Sequence, residues 1–415
     1  MFSLPPWQPL AAALVLSGLS LATQAAPLSF QAALDAAERN APQLAAQRAG
    51  IDAARAAAIS AGALPDPKLS IGIDNLPVSG TDRWRLKRDF MTMQKIGLMQ
   101  EVPNAGKRQA RVDAADAALA RSEIERTLTT LTVRREAALA WLKRYYLERK
   151  QALFDDLAHE NRLLADVVRA QLASGRGTAA DVLSPRQEAA MLAERRDELS
   201  RDLALAHSAL VRWVGAEASQ ALQGEAPSYP VGPDRLQGRL QQHPELAVYV
   251  ATTALAEAQL KEAEAGKRPD WGVEIAYQRR AAQFGDMVSV QFSFDLPIFQ
   301  STRQTPQIAA RQAELRRVAA EREALLREHR QLLAADLAEY GRLDQAISRQ
   351  QHDFLPLAQQ KVLLQTASYR SGKVDLTAVL AARRELIDVR LKTIDLDSQR
   401  AQLATRLHFT YGENE

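Results

Sequence analysis

Six histidines are the first candidates for acid–base or metal chemistry. They stand at His159, His207, His243, His329, His352 and His408, and none shows the His-Glu-x-x-His spacing that puts two imidazoles on one helix face. Ala105-Gly106-Lys107-Arg108 has the Gly-Lys pair of a phosphate loop but lacks the earlier glycine and the following Ser or Thr. No nucleophile is paired with a base along the chain. There is no cysteine, which excludes disulfides, thiolate metal sites and a cysteine-linked lipid anchor, and which fits an oxidising compartment. Met91, Met93 and Met99 hold half of the six methionines. Thioethers suit Cu(I) or Ag(I), whereas flexible filler at a strand edge is the more common use of Met. The residues therefore predict no catalytic site, no cofactor and no metal centre.

The elements that carry these residues are mostly helical in composition. Ala, Leu, Arg, Glu and Gln recur and aromatics are only 6%, a bias toward long helices. The net charge of +3 and pI near 9.1 are too mild to argue for nucleic acid. Acidic and basic residues alternate, as on solvated helix faces. Residues 1–26 read as a secretory signal. An apolar stretch from Leu10 to Ala22 precedes small residues at Thr23, Ala25 and Ala26, with cleavage expected after Ala25 or Ala26, although no Lys or Arg precedes the stretch. No later run reaches the roughly 18 apolar residues of a transmembrane helix.

The chain is built twice. Asn40-Ala41-Pro42-Gln43-Leu44 is echoed by Gln242-His243-Pro244-Glu245-Leu246, and a second proline follows 25 positions later in each half, at Pro67 and Pro269. Gln100-Glu101-Val102-Pro103 is echoed by Phe294-Asp295-Leu296-Pro297, and Ser174-Gly175-Arg176 by Ser371-Gly372-Lys373. Val182-Leu183 and Glu188 then recur as Val379-Leu380 and Glu385. The repeats span 27–226 and 234–415, joined by a breaker-rich linker at 227–233. Each predicts a helix of about 30 residues (Ser29 to Ser60; Asp234 to Ala265), two strands, a very long helix (Lys107 to Leu172; Gln304 to Tyr369), a Ser-Gly turn, and a returning helix (Ala179 to Val214; Leu376 to His408). A helix of about 65 residues is about 100 Å long, more than a compact domain needs. Ala-rich seams such as Ala114 to Ala120 allow close pairing, and Pro356 predicts a kink in the second long stretch.

The strands are expected at about 68–76, 92–102, 270–278 and 287–296. Val288 to Leu296 alternates apolar and polar residues strictly, and Trp271 to Gln278 alternates too. Leu69, Ile71 and Ile73 alternate with Ser70, Gly72 and Asp74, while Met93 to Val102 is mixed and carries Lys95. A soluble sheet with one buried face fits this pattern, and so does a transmembrane barrel strand of about 9–11 residues. An exported chain with aliphatic and aromatic outer residues favours the barrel. Four strands cannot close one, because the smallest have about eight, so the barrel reading predicts an oligomer.

This order of elements resembles the TolC-type outer-membrane efflux proteins over essentially the whole mature chain. Within that family it looks most like the subgroup paired with heavy-metal pumps of the resistance–nodulation–division class. Leu64-Pro65-Asp66-Pro67-Lys68-Leu69, Gly72 to Val78, Asp89-Phe90-Met91-Thr92-Met93 and Arg268-Pro269-Asp270-Trp271 carry the closer match. The resemblance implies a mixed α/β membrane protein, mostly α, located in the outer membrane with a long periplasmic helical part. It implies a homotrimer whose subunits each give four strands to a shared twelve-stranded barrel and long hairpins to an α-barrel tunnel. It also implies a periplasmic membrane-fusion adaptor and an inner-membrane resistance–nodulation–division pump as partners, outer-membrane lipid as surroundings, and passive conduction of heavy-metal cations with no enzymatic step. Export of drugs or general cargo is the alternative within the family; a periplasmic helical adaptor or scaffold is the alternative outside it.

For individual residues, the resemblance places adaptor docking at Ser174, Gly175, Arg176, Ser371, Gly372 and Lys373. An acidic aperture is implied near the tip at Asp181. The equivalent second-repeat position is Ala378, and a second position usually acidic in the family is Ala381, a departure from the family pattern, with Asp375 near enough to substitute. Asp181 and Asp375 equally suit plain capping of helix N-termini.

Overall fold

A computed structural model describes residues 27–412, Arg176 excepted. The signal segment read at 1–26, and Arg176 of the first tip, lie outside the described residues. The first repeat opens with a two-residue strand β1 (Leu28–Ser29), helix α1 (Phe30–Asn40) and helix α2 (Pro42–Ser60). Strands β2 (Lys68–Asp74) and β3 (Met93–Val102) follow, then α3 (Ala105–Ala173) and α4 (Ala179–Val214). A short 3-10 turn leads to β4 (Leu222–Gln223), which pairs parallel with β1. The second repeat comprises α5 (Pro233–Arg239), α6 (Pro244–Ala265), β5 (Trp271–Arg279), β6 (Met287–Phe294), α7 (Gln304–Arg349), α8 (Leu355–Arg370) and α9 (Leu376–Tyr411).

Several boundaries differ from the sequence expectation. The opening helices are each broken. Pro42 and Pro244 occupy the first helical position of α2 and α6, and proline drives the residue before it, Ala41 or His243, out of helical geometry. The second long stretch does not run unbroken from Gln304 to Tyr369. It passes through a π-helical turn at Gln350–Phe354, directly before Pro356. Proline offers no N–H to the preceding turn, and the widened turn absorbs that loss without ending the helix. Strand β2 stops at Asp74 because Asn75 takes a left-handed conformation (φ 57°). The 69 residues of α3 give a rod about 100 Å long.

Two cores anchor the rods. Around α1, Leu28, Ala33, Ala36, Trp141, Leu142, Tyr146, Leu210 and Val214 pack together. Trp141 is fully buried, donates its indole N–H to the Leu28 carbonyl at 3.2 Å, and meets Phe30 edge-on and Tyr145 face-on. The second repeat builds its counterpart from Leu236, Leu246, Leu326, Leu333, Leu403 and Leu407.

The four longer strands form one antiparallel sheet in the order β2-β3-β5-β6, with β2 and β6 as open edges. Register aligns Ile71 with Ile96, Ile96 with Tyr277 and Tyr277 with Val288; it also aligns Leu69 with Leu98, Leu98 with Ile275 and Ile275 with Val290. Val273–Phe292 and Trp271–Phe294 continue the same face. This face is apolar and uncovered, with Ile71 75% and Val288 68% exposed. The opposite face carries Ser70, Lys95, Glu274, Gln278, Ser289 and Gln291, with Lys95 Nζ 2.8 Å from Glu274 and Ser70 Oγ donating to Glu274 at 3.2 Å. A water-soluble sheet buries its apolar side; this one gathers its polar and charged residues on one face and leaves the apolar face bare. Among the described residues no helix is long and apolar enough to cross a membrane.

A polar knot fixes the sheet to the rods. Asn104 caps α3 by accepting from the Lys107 backbone N–H at 3.0 Å, and its own N–H and side-chain amide both donate to Asp270 at 2.8 Å. Lys107 Nζ reaches the other Asp270 oxygen at 2.6 Å. Residues of one repeat thereby hold the strand entry of the other. Burial pushes the Asp270 carboxyl up, but the Lys107 ammonium and Asn104 donors outweigh it and hold it below the usual range. The unfolded chain therefore binds more protons in acid, so the contribution is complete above about pH 4 and is lost as pH falls through the lowered folded value. Substitution Asp270→Asn is expected to cost about 2 kcal/mol at neutral pH, as for hydrogen bonds to a charged group. The deficit should vanish in strong acid, read as converging melting temperatures of variant and parent.

Candidate functional site: the hairpin tips

Both hairpins turn at a glycine in the left-handed region, Gly175 at φ 73° and Gly372 at φ 70°, where a side chain would be strained. The two tips share their wiring. Ser174 N–H donates to Ala170 O and Ser371 N–H to Ala367 O, both at 3.1 Å; Gly175 and Gly372 donate to Leu172 O and Tyr369 O, both at 3.0 Å. Each serine hydroxyl returns to a carbonyl three residues back, Gln171 or Ser368. Lys373 N–H closes the second tip on Ser368 O at 2.9 Å, a Schellman-like lock. The chain thus presents Ser174, Gly175, Ser371, Gly372 and Lys373 as two exposed turns at the ends of α3 and α8.

The tips are held side by side. Tyr369 Oη donates to Gln171 Oε1 at 2.7 Å across the hairpins, and Val168, Leu376 and Leu380 bury beneath it with Leu164 and Val182 around them. Burial first, and then the Asp181 carboxylate, push the Tyr369 phenol up, so it stays a neutral donor.

The two aspartates differ. Asp181 completes a capping box at the start of α4: its carboxylate accepts from Thr178 N–H at 2.8 Å and Thr178 Oγ1 at 2.7 Å, and Thr178 Oγ1 accepts from Asp181 N–H at 3.3 Å. Asp375 is the N-cap residue of α9 but makes no side-chain cap bond, and it is exposed. Asp181→Asn should therefore destabilise the first tip by about 1 kcal/mol, as cap losses do. Asp375→Asn should leave it unchanged. Hydrogen–deuterium exchange of residues 179–183 reads the difference.

Higher on the hairpins, Arg384 Nε sits 3.1 Å from Glu188, whose side chain is nearly buried. Lys361 pairs with Glu385, the repeat counterpart of Glu188.

One cluster had no signal in the sequence spacing. His243, before α6, and His329, in the middle of α7, lie 86 positions apart yet meet with ring centroids 4.1 Å apart and planes tilted by 39°. Glu245 and Tyr411 complete the group. Burial, and then His329, lower the His243 pKa to about 4, so its imidazole is neutral. The only sequence hint is that His243 stands where the first repeat has the buried Ala41. Met93 and Met99 are held apart in β3 by their positions at opposite ends of the β2 register, against Asp74 and Lys68.

The family of outer membrane efflux proteins matches residues 236–413, nearly all of the second repeat. The fold is that of the outer membrane protein VceC from Vibrio cholerae (TM-score 0.76, 20% identity, 92% of this chain and 96% of that one). It is equally that of CusC, a transmembrane channel (TM-score 0.77, 17% identity, 93% and 92%). In sequence the chain is 23% identical over 397 residues to the cobalt-zinc-cadmium resistance protein CzcC of Cupriavidus metallidurans, covering 92% of this chain and 90% of the relative. Residues 236–413 thus match the outer membrane efflux family, and nearly the whole chain has the fold of VceC and CusC and resembles the TolC-type channels.

Proposed function

We propose that this chain is the exit duct of a tripartite efflux system. Three copies share one twelve-stranded barrel, and their hairpins line a tunnel through the periplasm. The turns at Ser174, Gly175, Arg176, Ser371, Gly372 and Lys373 dock a membrane-fusion adaptor, which connects to an inner-membrane resistance–nodulation–division pump. The duct does no chemistry; the pump supplies the energy.

The bare apolar face of β2-β3-β5-β6 carries this reading. In lipid, the open edges β2 and β6 would leave backbone N–H and C=O groups unpaired, which costs several kcal/mol each. Pairing with copies of the same chain removes both edges. The polar opposite face then lines water. A periplasmic scaffold has no use for such a face. The purified protein is expected to be trimeric and to conduct in a planar bilayer; a monomer that forms no pores would sink the proposal.

Heavy-metal cations are the proposed cargo, supported by the likeness to a cobalt-zinc-cadmium resistance protein. A deletion strain should be sensitive to one metal group and rescued by the intact gene. Sensitivity to drugs alone would keep the duct and overturn the cargo. For the aperture, the different bonding of the two aspartates supports Asp375 as the selecting carboxylate, with Asp181 committed first to its cap. Asp375→Asn should then weaken cation preference, read as a reversal-potential shift, without lowering thermal stability.

A further inference from the structure

Three elements converge on His243, Glu245 and His329. His243 precedes α6, Glu245 lies in its first turn, and His329 projects from α7, with Tyr411 closing the group from the end of α9. Both imidazoles are almost wholly buried, 5% and 6% exposed, while Glu245 opens to solvent. One donor atom from each of the three lies within 4.8 Å of the others.

We propose that His243, Glu245 and His329 form a site for a divalent transition-metal cation such as Zn²⁺ or Co²⁺. Two imidazoles and a carboxylate are a borderline-soft donor set that suits these ions, and water from the Glu245 side would fill a fourth position. Bond lengths of about 2.0–2.2 Å place neighbouring ligands of a tetrahedral ion about 3.3 Å apart. His329 Nε2 and Glu245 Oε2 already stand 3.0 Å apart. On its other side, His329 Nδ1 stands 3.3 Å from Tyr411 Oη. With Nε2 on the metal, Nδ1–H would donate to Tyr411 Oη. A hydroxyl serves either tautomer, so Tyr411 can orient the ligand with or without metal. His243 Nδ1 accepts a long bond of 3.2 Å from the Glu245 N–H.

The site would brace α6 against α7 in the second repeat only, because the matching residue of the first repeat is Ala41. It is a resident structural site and does not rest on the cargo reading.

The test uses the purified full chain in detergent, stripped with a chelator and titrated with Co²⁺ alone. One Co²⁺ per chain is expected, with visible d–d absorption of a four-coordinate ion and a raised melting temperature. His329→Gln and Glu245→Gln should each weaken binding at least tenfold, whereas His159→Asn, at an exposed histidine, should not. Glu245 is half-exposed, so its variant keeps the site testable if His329→Gln does not fold. No saturable Co²⁺ uptake, or uptake equal in parent and Glu245→Gln, would overturn the assignment.

Discussion

Val290→Lys should abolish the membrane-inserted form of the protein. Val290 sits mid-strand in β6, aligned with Ile275, on the face that the isolated chain leaves bare. A lysine facing lipid near the midplane costs about 2–4 kcal/mol per barrel strand position. Every copy in a shared barrel carries the substitution, so the penalty multiplies with subunit number. The neighbour Gln291 points to the opposite face, aligned with Glu274. Gln291→Lys should be tolerated, because a lysine there meets a carboxylate and water. Membrane fractionation with heat-modifiable gel migration separates the two: loss of the folded band for Val290→Lys, retention for Gln291→Lys. Equal behaviour of the pair would contradict the assignment of faces.

The second large effect is expected far from the membrane. Trp141→Ala should destabilise the helical body by about 3–5 kcal/mol, the usual range for emptying a buried tryptophan. Trp141 has no solvent exposure, and its ring is enclosed by Phe30 and Tyr145. Its N–H satisfies the Leu28 carbonyl, which would lose that partner. Leu28 also anchors the β1–β4 pair, so the change should loosen both ends of the first repeat. Circular dichroism melting reads the effect as a lowered midpoint of helix loss. Trp213→Ala, at the half-buried edge of the same core, is expected to cost less. A Trp141→Ala protein melting like its parent would show that α1 is not held by this contact.

Patterns of short period were legible in the sequence. Alternation at Val288 to Phe294 marked a strand with two unlike faces, and the paired Ser-Gly motifs marked two turns that need a left-handed glycine. What escaped was tertiary. Asp270 stood out only as part of a local motif, yet its partners Asn104 and Lys107 lie across the repeat boundary. His243 and His329 meet only because α6 and α7 pack together, and no spacing rule links residues on separate helices. Pro42 and Pro244 stand out in the sequence as landmarks of the repeat; in the fold they also start α2 and α6. Pro356 predicted a disturbance of the second rod, and the chain widens one turn just ahead of it; that the helix answers with a π-turn was not readable from the proline alone. Asp181 and Asp375 looked alike as helix-start acids; only the geometry of Thr178 tells them apart.

The central claim, that the bare face of the sheet meets lipid and the other face meets water, can be tested directly because the chain has no cysteine. Single cysteines placed in turn at 288 through 293 of the full chain, in proteoliposomes, can be challenged with a charged maleimide. Labelling is predicted to alternate: Ser289, Gln291 and Ser293 positions react, while Val288, Val290 and Phe292 positions stay protected and are quenched by lipid-borne spin labels once modified with an apolar probe. Uniform labelling at all six positions would contradict the account.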